Sequence, residues 1–220
     1  MSSLKSNKNI SQSERAYNSI KKSILNLDLK PGQQLSESDL ATQLKMSRTP
    51  IREAISKLNN ENLVDVIPRK GTFVKILSGN EIKNIYETAE GLESMAVYLV
   101  VKRKDEIDLD ELSEQVKNME IAFENNDIEK WIKSDELFHS IMRKFCDNEY
   151  IIEDLKKIDT QIHRVRIMMR KILTNRKKST KEHRETFEKI VKGDAKGARE
   201  TMHKHWERVR KDILRIYPFG

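Results

Sequence analysis

The sequence is short of helix breakers and of the residues that staple small folds. Seven glycines and four prolines in 220 residues leave room for long regular elements, because these two residue types most disfavour a helix interior. Cysteine occurs once, at Cys146, which excludes an intrachain disulfide framework. Its plain reading is a small packed residue rather than a redox group. Aromatic residues make up only 6% of the chain. Combined with abundant Lys, Glu, Leu and Ile, this favours helix. No apolar run approaches the ~18 residues of a membrane-spanning helix. The opening "MSSLKSNKNISQSE" lacks the apolar stretch of a secretory signal. A cytoplasmic protein is expected. Gly-rich phosphate loops, nucleophile elbows and Cys-x-x-Cys pairs are also missing.

Charge is plentiful and unevenly spread. The formal net charge is +7. Residues 1–77 hold 13 Lys and Arg against 7 Asp and Glu, a surplus of six, and the remainder is nearly balanced. A basic first third on a neutral remainder suggests a module for a polyanion attached to a different kind of domain.

Residues 1–11 are polar and read as a flexible tail. "SERAYNSIKKSILNL" places Tyr17, Ile20, Ile24 and Leu27 at helical spacing, and Pro31 and Gly32 end that pattern. Ser36, with Asp39 three residues on, reads as an N-cap for the short helix "ESDLATQL". Ser47 is a cap for "RTPIREAISKLNNEN", with Pro50 in the first turn and Ile51, Ala54, Ile55 and Leu58 as the buried stripe. "LVDVI" and "TFVKI" are β-type runs around the turn "PRKG". Helix, helix, helix, hairpin is the order of a winged helix-turn-helix, here over residues 12–77 with a two-stranded wing.

Residues 78–220 read as an all-α bundle of about six helices, near 79–103, 108–126, 127–146, 148–174, 179–193 and 194–215. The expected fold is therefore mainly α.

In a helix-turn-helix the start of the second helix enters the major groove. Arg48 and Arg52 are four apart there, and an Arg fork suits the two acceptors of guanine. Ser47 and Thr49 suit phosphates, and Arg69, Lys70 and Gly71 form the wing turn. The segment from Pro31 to Val74 resembles the DNA-binding domain of the GntR superfamily of bacterial transcription regulators. The resemblance rests on Pro31–Gly32, Leu35, Glu37, Leu40–Ala41, Ser47–Ala54 and Gly71–Val74. It implies a dimer on a palindromic double-stranded DNA operator, with Arg48 and Arg52 on bases and the wing in the minor groove.

All five histidines follow residue 138. In "KSDELFHSIMRKF", Asp135 and His139 are one helical turn apart, with Leu137, Phe138, Ile141, Met142 and Phe145 available for an apolar side. Such a pair is commonly a solvated contact. Together with His183 and His205 on the last two helices it is also a donor set for a divalent metal, with Zn(II), Ni(II), Fe(II), Co(II) and Mn(II) compatible. His163 and His203 read as surface residues. The segments around Asp135–His139, Asn148, Glu182–His183, Gly193–Asp194 and Met202–His205 are similar to the FCD ligand-binding domain of the FadR-like branch. What the resemblance implies is a metal, zinc first, on Asp135, His139, His183 and His205, beside a small-molecule effector such as a carboxylic acid. Ala89 stands where many such domains carry an effector-gripping arginine, and Arg164 on the long helix after Asn148 is the substitute candidate. A ligand-responsive regulator, not an enzyme, is expected. The rival readings are a metal sensor, a metal-dependent enzyme and a metal-free effector site.

Overall fold

The computed structural model describes residues 10–170 and 175–217. Most of the expected tail and the last turn of the helix expected over 148–174 lie outside the described residues. The chain divides into two compact units between Ile76 and Leu77.

The first unit runs α1 (Gln12–Leu25), β1 (Gln34–Leu35), α2 (Glu37–Leu44), α3 (Arg48–Asn60), β2 (Val64–Ile67) and β3 (Gly71–Val74). Local chemistry sets these bounds. The Ser11 hydroxyl accepts from the Glu14 amide, and that of Ser36 from the Asp39 amide, each satisfying an otherwise orphaned helix N–H. Helix α1 stops short of the expected Leu27 because that residue adopts a left-handed backbone, φ 65°. Lys45, also left-handed, ends α2 and makes the tight corner into α3. The sheet has three strands rather than two, in the order β1-β3-β2, all antiparallel. Strand β1 is two residues long, too short to show alternation in sequence. It is defined by its pairing, Gln34 opposite Phe73 and Leu35 opposite Thr72. Ile20, Ile24, Ile51, Leu58 and Leu63 close a core between helices and sheet, each contributing about 1.5–3 kcal/mol of burial.

The second unit, among its described residues, holds α4 (Gly79–Lys102), α5 (Asp110–Glu124), α6 (Ile128–Cys146), α7 (Glu149–Met169), α8 (Arg176–Lys192) and α9 (Ala195–Ile216), with one 3-10 turn at Lys104–Glu106. A reciprocal Ser78–Glu81 capping box opens α4, and Asp127, Asn148 and Asp194 cap α6, α7 and α9 with their side chains. Asp147 and Gly193, both left-handed, end α6 and α8. Helix α4 packs along α9, α5 along α6, and α8 against α9. Tyr86, Phe138, Met119, Met142 and Trp206 fill the core. Leu137 is not part of the apolar side of α6, since it is 40% exposed. Asp135 and His139 lie instead on the buried face, with Trp131, Ile132, Phe138 and Met142.

Candidate metal centre and nucleic-acid interface

Helices α6, α8 and α9 bring His139, His183 and His205 together, with one ring nitrogen of each within 4.8 Å of the others. All three are buried. Each ring is held by its other nitrogen. His139 Nδ1 faces Glu93 Oε2 at 3.2 Å, His183 Nδ1 faces the Ser179 carbonyl at 2.6 Å, and His205 Nδ1 faces Glu182 Oε2 at 2.8 Å. A carbonyl or carboxylate opposite Nδ1 calls for the proton there, which leaves Nε2 as the lone-pair donor. The tautomers follow from these partners.

The consequence lies at the centre. His139 Nε2 and His183 Nε2 are 3.2 Å apart, so two lone pairs meet at a buried point. That contact is repulsive without a cation or proton between them. Asp135 Oδ1 lies 3.3 Å from His183 Nε2, which places a carboxylate at the edge of the three imidazoles. Its Oδ2 has Arg166 Nη2 at 2.8 Å, yet out of line for a hydrogen bond, so that oxygen stays unsatisfied. Nitrogen and carboxylate donors with anchored second nitrogens fit a divalent metal of the zinc type.

Electrostatics agrees with this geometry. Burial pushes the Asp135 carboxyl up, but Arg166 and the imidazoles outweigh it and hold it at about 2. Burial drives His139 well below its ordinary value and His205 down to about 4, so both rings are neutral near neutral pH. Neutral rings and an ionised carboxylate are the forms that ligate metal. Phe138 packs edge-on against His183 with centroids 4.8 Å apart, and the Trp131 indole donates to Thr180 at 2.8 Å, which ties α6 to α8.

Beside the metal set is a cavity of about 230 Å³. Asp135, Arg166, His205 and Arg208 supply polar lining, and Trp131, Ile132, Val209 and Ile213 apolar lining. Arg164 is absent from that lining. It is buried, but its Nη1 donates to Gln161 and it lies near Tyr217. The α7 guanidinium at the cavity is that of Arg166, two residues on and roughly 200° round the helix, beside Arg208 of α9. Sequence reasoning also missed Glu93, Glu182 and Arg208 as supports. Arg208 grips Glu182 at 2.6 Å while Glu182 holds His205. His203 is half exposed and His163 pairs with Glu136 at 2.7 Å, both outside the metal set.

In the first unit, Ser47, Arg48, Thr49 and Arg52 lie exposed at the start of α3, and Arg69, Lys70 and Gly71 are exposed at the wing turn. Ser47 occupies the N-cap position without making a capping hydrogen bond. Arg52 Nε donates to Glu37 Oε2 at 2.7 Å, an exposed pair that orients the guanidinium. Gly71 has φ 112°, a backbone conformation that calls for glycine, while the atom nearest a Cβ there, Gln34 Nε2 at 2.9 Å, is the tip of a flexible side chain.

A winged helix-turn-helix unit followed by an all-α bundle defines a class, the two-unit DNA-binding transcription regulators. Comparison with known proteins specifies the family. The model described as "Bacterial regulatory proteins, gntR family" matches residues 12–74, and the FCD domain model matches residues 84–208. The uncharacterized HTH-type transcriptional regulator YdhC of Bacillus subtilis is 30% identical over 191 residues, covering 86% of this chain and 85% of that one. The HTH-type transcriptional repressor RspR of Escherichia coli is 21% identical over 203 residues, covering 92% and 89%. A GntR regulator from Rhodococcus sp. RHA1 superposes with a TM-score of 0.77 at 20% identity, over 94% of this chain and 99% of that one. E. coli McbR/YncC gives 0.77 at 23%, with the same coverage. The chain belongs to the GntR family of bacterial transcription regulators and carries an FCD domain. The family and these relatives are regulators rather than enzymes. No helix among the described residues is long and apolar enough to cross a membrane.

Proposed function

We propose that this regulator binds a palindromic operator as a homodimer and holds a divalent metal on His139, His183, His205 and Asp135. A small-molecule effector occupies the adjoining cavity. Arg48 and Arg52 read bases, Ser47, Thr49 and the wing residues Arg69 to Gly71 meet the sugar-phosphate backbone, and the effector acts by favouring one arrangement of the two DNA-binding heads.

The observation that carries the metal reading is the convergence of three imidazoles whose outer nitrogens are all anchored, with two Nε2 atoms 3.2 Å apart. Zinc is the first choice, and nickel, iron, cobalt and manganese suit the same donors. Purified protein dialysed against trace metals should hold one equivalent by elemental analysis. The double variant His183→Ala/His205→Ala should hold none while still binding operator DNA in a gel shift. Wild-type protein that takes up no stoichiometric metal refutes this reading.

A further inference from the structure

His139 and Arg143 are four residues apart on α6 and both are buried, so they sit one turn apart on one face. Glu93 of α4 reaches across to both. Its Oε2 is 3.2 Å from His139 Nδ1. Its Oε1 accepts from Arg143 Nε at 2.6 Å and has Arg143 Nη2 at 2.5 Å. Arg143 Nη1 donates to both carboxylate oxygens of Asp159 on α7. One guanidinium therefore holds two carboxylates. Glu93 is fully buried, Arg143 nearly so, and the Asp159 side chain is partly exposed. The chain of charges runs from His139 in the core to the surface of α7.

A carboxylate in an apolar interior is costly unless paired charge and hydrogen bonds hold it. Here the pairing also divides its two oxygens between two tasks. Arg143 takes Oε1, which leaves Oε2 facing the imidazole. We propose that Arg143, clamped by Asp159, is a positioning residue that fixes the Glu93 carboxylate and, through it, the tautomer and aim of His139. Its effect on metal affinity rests on the metal reading above, whereas its effect on the His139 tautomer does not.

The shape of the guanidinium matters to this role. Its planar fork presents one edge to Glu93 and leaves Nη1 for Asp159, so α4, α6 and α7 are tied at one point. A lysine ammonium is a point charge on a flexible stem and does not reproduce that fork. With the carboxylate free to turn, the ring gains its second tautomer. The form that carries the proton on Nε2 has no lone pair there for a metal.

The test uses full-length protein and two measurements. Long-range 1H–15N correlation spectra of the metal-free protein read the His139 tautomer, and competition against a chromogenic chelator reads zinc affinity. In the wild type the His139 proton is expected on Nδ1. Arg143→Lys keeps the charge, and Asp159→Asn alters only the partly exposed end, so neither strands Glu93 without a cation. Arg143→Lys should show a population with the proton on Nε2 and bind zinc about tenfold more weakly. Asp159→Asn should move both readings in the same direction by a smaller factor. Glu93→Gln should weaken zinc binding on its own, and adding Arg143→Lys to it should cost nothing further, since the arginine acts through that carboxylate. Arg143→Lys with a lowered Tm, an unchanged tautomer and zinc affinity within about twofold of wild type overturns the proposal and leaves the metal reading standing. A zinc loss for Arg143→Lys that is as large in the Glu93→Gln background also overturns it. A tautomer that shifts in Arg143→Lys, in a protein that never takes up zinc, keeps the positioning role and removes the metal.

Discussion

Glu182→Gln separates a metal centre from a packed histidine cluster. Glu182 Oε2 accepts from His205 Nδ1 at 2.8 Å and from Arg208 Nη2 at 2.6 Å. Burial raises this carboxyl, but the hydrogen bonds from His205 and Arg208 outweigh it and hold it at about 2. The amide is nearly isosteric and has one acceptor oxygen. If that oxygen serves His205, the amide N–H group faces Arg208; if it serves Arg208, the N–H group meets His205 Nδ1–H and favours the wrong tautomer. Losing such a support costs roughly 10–100-fold in metal affinity, or about 1.4–2.8 kcal/mol. Competition against a chromogenic chelator reads this directly. Glu207→Gln is the control, because that partly exposed carboxylate on α9 pairs, among the described residues, with Lys211 of the same helix. A zinc affinity for Glu182→Gln within twofold of wild type, with Tm alone lowered, would show that Glu182 supports packing and not a metal ligand.

In the DNA-binding unit, Arg52→Ala should abolish sequence preference in a gel shift at fixed salt while lowering stability by less than about 1 kcal/mol, the ceiling for an exposed pair such as Arg52–Glu37. Unchanged operator affinity would remove Arg52 from base reading. Stability at acid pH should depend on Glu61, which receives hydrogen bonds from Tyr17 and Lys21 at 2.6 Å each. Burial pushes its carboxyl up, but these donors outweigh it and hold it below the ordinary value. A carboxyl lowered on folding gives stability that is present above its unfolded value and is lost as pH falls through the folded one. Urea unfolding between about pH 5 and pH 3 should therefore show a decline that is smaller in Glu61→Gln, and identical pH slopes would count against it.

Much of this architecture is legible in the sequence because its signals are local. The cap at Ser36, the stop at Pro31–Gly32 and the stripe of Ile51, Ile55 and Leu58 depend on a few neighbouring residues. Strand β1 is not legible, since two residues carry no period and only β3 defines it. The metal set divides in the same way. Asp135 and His139 are visible as a pair at helical spacing, and His183 and His205 join them by resemblance. The choice between Arg164 and Arg166 turns on the rotation of α7 against α6 and α9, which the sequence expresses only through packing. Glu93 and Glu182 hold His139 and His205, 46 and 23 residues away, and no local pattern links such distant partners.

The central claim is that three imidazoles and a carboxylate hold a metal inside the helical domain of a DNA-binding regulator. X-ray absorption spectroscopy of zinc-loaded, full-length protein tests it most directly. The account predicts a first shell of nitrogen and oxygen at about 2.0–2.1 Å, with outer-shell scattering from three imidazole rings, and loss of the protein-bound zinc signal in His183→Ala/His205→Ala. A sulfur scatterer at about 2.3 Å, or a spectrum unchanged in the double variant, would place the metal elsewhere and contradict it.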